Sequence, residues 1–155
     1  MSDVRNAAVV LAGGVGARVG LSIPKQLIKV AGRPIVEHTI ALLEDADEID
    51  EIIVMMAPGH LDAIRDIVKK GGYQKVTQIL EGAETRNGTT ERAIAALGEA
   101  ECNVLLHDAV RPLLSVRIIR DLIKALDTYS AVDTAIPSAD TIIQVDQPAE
   151  SELAS

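Results

Sequence analysis

The segment at residues 11–20, LAGGVGARVG, directly follows a short apolar run at residues 7–11. Gly13, Gly14 and Gly16 have no Cβ, so backbone N–H groups in this segment can approach phosphate oxygens closely. A buried strand that ends in a phosphate-binding turn is typical of α/β nucleotide-binding folds. The segment therefore predicts an α/β domain with its ligand at the end of the first strand.

Two common phosphate-binding loops do not fit this segment. A Rossmann loop has the spacing G-x-G-x-x-G, and Val19 occupies the position of its third glycine. A Walker loop places Gly-Lys-Ser/Thr at a helix start, whereas Lys25 follows Pro24, whose ring keeps the residue before it out of helical geometry. We therefore place Arg18 and Lys25 on an extended, mobile loop that folds over a triphosphate. The simpler alternative is a tight turn with solvated cations.

Apolar, β-branched runs alternate with stretches of helical period along the rest of the chain. The predicted strands lie at residues 7–11, 51–56, 75–80, 103–106 and 132–136, with a short one at 141–145. The predicted helices lie at residues 35–43, 61–70, 89–97 and 116–126. This alternation predicts a three-layer α/β/α fold with a mostly parallel, Rossmann-like sheet, whose carboxyl edge binds the ligand.

Length and composition limit the possible functions. The 155 residues, 48% of them hydrophobic, suit one compact domain, which we assign to residues 1–146 with a tail at 147–155. The net charge of −8 repels nucleic acids and anionic membranes, and two tyrosines without Phe or Trp give no platform for base stacking. The single cysteine, Cys102, fits a reducing compartment, so we expect a cytoplasmic protein.

A charged turn follows the predicted strand at residues 103–106. Asp108 at the carboxyl end of a strand is the type of group that holds Mg²⁺ against phosphate oxygens. Arg111 can form a paired fork to the phosphate of a second substrate. In the alternative interpretation, Asp108 and Arg111 form only a local ion pair and His107 caps the strand.

Two further segments contain candidate binding residues. In the loop at residues 81–90, Gly82 and Ala83 are small enough for their backbone to contact a base or ribose, and Thr89 is a candidate helix N-cap. Thr141 is a candidate donor to a substrate phosphate. The alternatives are an ordinary capped loop and a turn threonine without such a role.

Together these segments resemble the cytidylyltransferases that make CDP-methylerythritol and CDP-ribitol. The matching segments occur in family order at residues 11–18, 24–26, 82–89, 107–112 and 137–141. Residues 86–89 are more similar to the ribitol-phosphate branch of the family.

The resemblance implies a fold of the nucleotide-diphospho-sugar transferase type and transfer of CMP from CTP onto 2-C-methyl-D-erythritol 4-phosphate or D-ribitol 5-phosphate. It implies that Arg18 and Lys25 stabilise the transition state, that Asp108 holds Mg²⁺, and that Arg111 and Thr141 contact the acceptor. The nucleotide-binding residues that it implies are Leu11, Ala12, Gly13, Gly14, Val15, Gly16, Gly82, Ala83 and Thr89.

Members of this family continue past residue 155, with an arm that exchanges across a homodimer, so we expect the domain to be incomplete at its C-terminus. Two alternatives to cytidylyl transfer stay open at this point. One is a nicotinamide dinucleotide-binding oxidoreductase domain, against which the glycine spacing argues. The other is a fragment that binds CTP without turnover.

Overall fold

The computed structural model describes residues 4–14, 23–141 and 143. Its elements in chain order are β1 (Arg5–Ala12), a 3-10 turn (Lys25–Leu27), β2 (Lys29–Val30), β3 (Arg33–Pro34), α1 (Ile35–Glu44), β4 (Glu51–Met56), α2 (Leu61–Gly71), β5 (Val76–Glu81), α3 (Arg86–Leu97), β6 (Cys102–Asp108) and α4 (Val116–Leu126). No helix among these elements is both long and apolar enough to cross a membrane.

Four parallel strands form the central sheet in the order β5-β4-β1-β6. β1 pairs with β4 on one side, where Val9 lies opposite Ile53, and with β6 on the other, where Leu11 lies opposite Asp108. The chain therefore runs outward from β1 to β5 and then returns to the opposite side of β1. Ligands in open α/β sheets bind where the strand order reverses in this way, so the carboxyl ends of β1 and β6 are the expected site.

Successive residues of a strand point to opposite faces of the sheet, and in β1 and β4 both sets are apolar and buried. Helices therefore cover both faces of the sheet. On one face, Val10 and Val54 belong to an apolar cluster with residues of α1, α2 and α4. On the other face, Val9 and Ile53 pack with Ala93 and Leu97 of α3. The predicted three-layer α/β/α architecture with a parallel sheet is confirmed.

Local sequence explains where the helices begin and end. The Oγ1 of Thr85 accepts a hydrogen bond from the Gly88 N–H at 3.0 Å and caps α3. The prediction that Thr89 is this cap is therefore wrong by one turn. At the end of α2, Gly72 has a φ of 68°, a left-handed conformation that favours glycine.

The strand predicted at residues 132–136 is absent. Residues 129–141 have no helix or strand, and every one of them is exposed. Strand propensity largely reflects packing on a pleated, half-buried surface, and Ile136, with 90% of its surface exposed, has no such packing. Thr141, the first residue of the other predicted short strand, also lies outside any regular element, and most of the rest of that strand lies outside the described residues.

Candidate active site

A cleft of about 320 Å³ opens at the carboxyl edge of the sheet, beside the ends of β1 and β6. Four segments that are distant in sequence line it. Their cleft-lining residues are Leu11, Ala12, Gly13 and Gly14; Lys25 and Gln26; Ala83, Glu84, Thr85, Arg86 and Thr89; and Asp108, Ala109, Val110 and Arg111. The structure thus brings together most of the site residues that the sequence predicts.

Backbone hydrogen bonds hold the loops at this edge to neighbouring strands. The Ala109 N–H donates to the Leu11 carbonyl at 3.0 Å, and the Ala57 N–H donates to the Ala12 carbonyl at 3.2 Å. The Gly82 N–H donates to the carbonyl of Met56, at the end of β4, at 2.8 Å. Each loop therefore begins from a fixed point on an adjacent strand.

Gly13 lines the cleft, whereas the predicted site residue Gly82 does not line it but packs against Gly13. A Cβ on Gly82 would lie 3.2 Å from the Gly13 Cα and 3.2 Å from the Thr89 Oγ1. Both distances are tighter than most Cβ contacts in proteins, so a side chain at position 82 would push its neighbours apart by a few tenths of an ångström. Glycine at position 82 therefore favours the close approach of these segments.

Thr89 holds the loop between β5 and α3. Its hydroxyl is buried, accepts a hydrogen bond from the Ala83 N–H at 2.9 Å and donates to the Thr85 carbonyl at 2.9 Å. A role for Thr89 in nucleotide binding stays a prediction. In this arrangement its hydroxyl fixes the shape of the loop that forms one wall of the cleft.

Lys25 reaches the cleft from the 3-10 turn, and the buried Gln26 anchors that turn. Only 1% of Gln26 is exposed, and its Nε2 donates to the Ala12 carbonyl and lies 3.7 Å from the Met56 Sδ. The position of Lys25 is therefore tied to the end of β1, in a compact turn and not on the predicted extended loop. The rest of the predicted glycine segment lies outside the described residues, namely Val15, Gly16 and the cation Arg18.

Two guanidinium groups flank Asp108. Arg86 Nη1 lies 2.7 Å from Oδ1, and Arg111 Nε lies 3.0 Å from Oδ2. His107 donates from Nε2 to the Arg111 carbonyl at 2.9 Å and so helps to shape the turn. The local Asp108–Arg111 ion pair of the alternative interpretation is therefore present, and Arg86 extends it into a network across the cleft.

The cleft has an excess of positive charge although the protein as a whole is acidic. Among the described residues, its lining has three basic side chains, Lys25, Arg86 and Arg111, against two acidic ones, Glu84 and Asp108. The whole chain has a net charge of −8. A local excess of cations at the open edge of an acidic domain favours a small, highly charged anion such as a nucleoside triphosphate.

Asp108 has the chemistry of a magnesium ligand but does not form a protein-only metal cage. The described residues contain no group of three or more His, Cys, Asp or Glu side chains that could hold a metal. Mg²⁺ in nucleotide enzymes is commonly held by one or two carboxylates together with substrate phosphates. Asp108, a carboxylate that lines the cleft, fits that second pattern.

Several residues at the site differ from the sequence-based expectations. Thr141 is exposed and does not line the cleft. Arg86 and Gln26 were not predicted, although Gln26 stands within the Pro24-Lys25-Gln26 segment and Arg86 within the loop at residues 81–90. The available signal was that Arg86 is a cation in a loop expected at the same sheet edge as Asp108. The ion pair itself depends on the strand order.

The comparisons with known proteins agree with this geometry. The family described as IspD, 2-C-methyl-D-erythritol 4-phosphate cytidylyltransferase, matches residues 6–152. The chain belongs to this family. Membership in the IspD family favours cytidylyl transfer over the nicotinamide dinucleotide alternative.

Two curated relatives show the extent of the similarity. The bifunctional ribulose 5-phosphate reductase/CDP-ribitol pyrophosphorylase Bcs1 of Haemophilus influenzae is 46% identical over 94% of this chain and 31% of its own length. The 2-C-methyl-D-erythritol 4-phosphate cytidylyltransferase of Thermobifida fusca is 43% identical over 91% of this chain and 57% of its own.

A solved structure confirms the fold. The 4-diphosphocytidyl-2C-methyl-D-erythritol synthase of Anaerococcus prevotii superposes with a TM-score of 0.82 at 32% identity, over 94% of this chain and 61% of that protein. The chain therefore spans less than two thirds of the length of each of these three proteins.

Proposed function

We propose that this cleft transfers CMP from CTP onto the phosphate of a small polyol phosphate, either 2-C-methyl-D-erythritol 4-phosphate or D-ribitol 5-phosphate, and releases pyrophosphate. The observation that carries the proposal is the meeting of the glycine turn, Lys25 and the Asp108–Arg111 turn at the point where the strand order reverses. The two relatives above bear names that correspond to the two acceptors.

The reaction needs positioning and positive charge more than a base. An oxygen of the acceptor phosphate attacks the α-phosphorus of CTP and forms a new P–O bond. The bond from the α-phosphorus to the bridging oxygen of the β-phosphate breaks, and its electron pair leaves with pyrophosphate. Lys25, with Arg18 as its proposed partner, stabilises the negative charge on the oxygens around phosphorus, as cationic clamps do in related transfers.

The floor of the cleft suits a small base. Gly13 lines it with backbone alone, and the Thr89 hydroxyl holds the adjacent wall. We propose that the backbone of Gly82 and Ala83 contacts the cytosine and ribose of CTP, while the first glycine turn, including Gly14, faces its phosphates. Arg111, at the opposite wall, is the proposed contact for the acceptor phosphate. For Thr141 the same role rests only on the resemblance.

We propose Asp108 as the carboxylate that holds Mg²⁺ together with the phosphates of CTP. When bound, the cation neutralises phosphate charge during the transfer. Each Asp108 oxygen has one guanidinium neighbour, and its second lone pair would be the one that meets the cation. The remaining N–H groups of Arg86 and Arg111 can pair with substrate phosphates.

Two further parts of the proposal concern the whole protein. Its oligomeric state follows the family resemblance, and its location follows the composition. We propose a homodimer for the full-length protein, which light scattering tests, and a cytoplasmic location, which the single cysteine supports. Neither aspect changes the chemistry assigned to the cleft.

The proposal is tested by incubating the full-length protein with CTP, Mg²⁺ and each acceptor in turn while pyrophosphate is measured. We expect release with CTP and one of the two polyol phosphates, and much less with ATP or GTP. No release with either acceptor would reject the proposal. Tight binding of CTP without pyrophosphate release would instead support the alternative of a binding fragment.

A further inference from the structure

The described residues contain three buried polar side chains, those of Gln26, Thr39 and Thr89. Gln26 and Thr89 line the cleft, and their hydrogen bonds hold two of its segments. Thr39 is different, because it lies on α1 and does not line the cleft. A hydroxyl that is 1% exposed on the inner face of a helix needs a hydrogen-bond partner, and its partner shows what it does.

Thr39 donates a hydrogen bond from Oγ1 to the Ala109 carbonyl at 3.0 Å, across 70 positions of sequence. A helical threonine can instead donate to the carbonyl one turn before it, which needs no partner outside the helix. Here the hydroxyl is directed out of α1 and onto the turn that follows β6. Ala109 is fully buried, so its carbonyl depends on a protein partner.

The turn at residues 108–111 is thereby held from two directions. The Ala109 N–H donates to Leu11 of β1, and the Ala109 carbonyl accepts from Thr39 of α1. Within the turn, the Arg111 N–H donates to the Asp108 carbonyl at 3.0 Å. Ala109 directly follows Asp108 and lies two residues before Arg111, so fixing its peptide groups sets where both charged side chains start.

We propose that Thr39 is a positioning residue that sets the Asp108–Arg111 turn for the reaction proposed above, on which this inference rests. Thr39 touches no substrate and acts through the Ala109 carbonyl. Without its hydroxyl this carbonyl is buried and unpaired, and the turn shifts to find another partner. Displacements of about 1 Å at reacting groups lower rates by as much as about a hundredfold.

The test compares Thr39→Val, which keeps the side-chain shape and removes the hydroxyl, with Thr39→Ser, which keeps the hydroxyl. In the full-length protein we expect Thr39→Val to lower kcat/KM for the acceptor by about tenfold or more, with a smaller change in KM for CTP. Thr39→Ser retains activity within about threefold of wild type, because the hydrogen bond to Ala109 is kept. Thr39→Ala gives the same expected loss as valine and replaces that variant if it fails to fold.

Two control substitutions separate positioning from general destabilisation. Thr77→Val removes an exposed hydroxyl on β5, which donates to Oε2 of Glu51 on β4 at 3.2 Å. Neither residue lines the cleft, so we expect unchanged activity. Ile53→Val removes one methyl group from the apolar cluster on the other face of the sheet, which does not include Ala109, and lowers stability. If Thr39→Val loses no more activity than Ile53→Val at equal loss of stability, the positioning role is overturned.

Amide hydrogen exchange gives a readout that does not require turnover. We expect the amides of Ala109 and Arg111 to exchange about tenfold faster in Thr39→Val than in wild type, with those of β4 unchanged. Equal exchange at both amides overturns the inference. Faster exchange in a protein that shows no pyrophosphate release with any acceptor would reject the proposed function while supporting Thr39 as the residue that holds this turn.

Discussion

The carboxyl edge between β1 and β6 and the segment that follows α4 were both predicted to hold substrate, but only the first forms a site. At the first, the loops leave buried strands, and Leu11 and Ala12 accept backbone hydrogen bonds from the neighbouring loops. At the second, residues 129–141 are exposed and have no helix or strand. A polar residue is thus positioned by the packing of the strand before it, more than by its own chemical type.

Lys25→Ala gives the largest expected effect at the carboxyl edge. We expect turnover to fall by about two to three powers of ten, the usual loss when one transition-state charge contact is removed, with melting temperature little changed. The matched control is Lys124→Ala, since Lys124 lies at the exposed end of α4 and should leave turnover unchanged. We expect the same loss for Arg18→Ala. Normal pyrophosphate release by Lys25→Ala would remove this residue from the site.

The second comparison removes one carboxylate from each region, that of Asp108 and that of Asp133. In Asp108→Ala we expect turnover to fall by about a hundredfold and its dependence on Mg²⁺ to be lost, because the proposed carboxylate ligand is removed. Asp133→Ala is the control from the exposed segment, where the Asp133 carboxylate accepts a local hydrogen bond from the Thr134 N–H at 2.8 Å. The measurement is a titration of Mg²⁺ against rate, and an unchanged response in Asp108→Ala would exclude it as a metal ligand.

The third comparison concerns stability, and it sets an isoleucine of the buried sheet against one of the exposed segment. Ile53, fully buried on β4, should lose about 0.5–1.5 kcal/mol of unfolding free energy on substitution by valine. Ile136 is 90% exposed, and the same substitution there should change stability by less than about 0.5 kcal/mol. Urea unfolding of both variants measures the difference. An equal loss at Ile136 would show that the segment after α4 is packed.

The smallest expected effect concerns an ion pair that ties α4 to the loop before β4. Arg120 Nε lies 2.5 Å from Glu48 Oε1, and this hydrogen bond lowers the pKa of Glu48 below its ordinary value of 4.5. Because the folded state holds this carboxyl ionised more strongly than the unfolded chain does, the pair stabilises the fold at neutral pH. That contribution is lost as the pH falls from 4.5 through the lowered pKa.

Glu48→Gln tests this pair. We expect a small decrease in stability at pH 7, measured by urea unfolding, that disappears as the wild-type carboxyl is protonated below pH 4.5. The pair is partly exposed, so high salt should also reduce the difference. A difference that is the same at pH 7 and pH 3 would show that the charge of Glu48 does not contribute.

Much of the fold and of the site could be predicted from sequence, because apolar runs mark the strands and the site residues lie at or just after the ends of these runs. The apolar runs of β1 and β4 are buried on both faces, and such strands are recognisable as uninterrupted apolar segments. Gly13 and Asp108 were recognisable because each follows or ends such a run. The order of the strands then brings their carboxyl ends to one edge.

The remaining features depend on contacts that no local pattern contains. Thr39 looks like one more residue in the periodic sequence of α1, and its partner Ala109 lies 70 positions away. The pairing of Arg86 with Asp108 depends on α3 and β6 meeting across the cleft. The strand predicted at residues 132–136 was wrong because β-branched composition favours a strand only where a partner and a packed face exist.

The most direct test of cytidylyl transfer is to follow the α-phosphate of CTP. The full-length protein is incubated with Mg²⁺, CTP labelled with ³²P at the α-position, and each polyol phosphate, and the products are separated. We predict label in a new CDP-polyol and unlabelled pyrophosphate in equal amount, with both lost in Lys25→Ala. Labelled CDP released as the product, with unlabelled phosphate moved to the polyol or to water, would contradict cytidylyl transfer at this cleft.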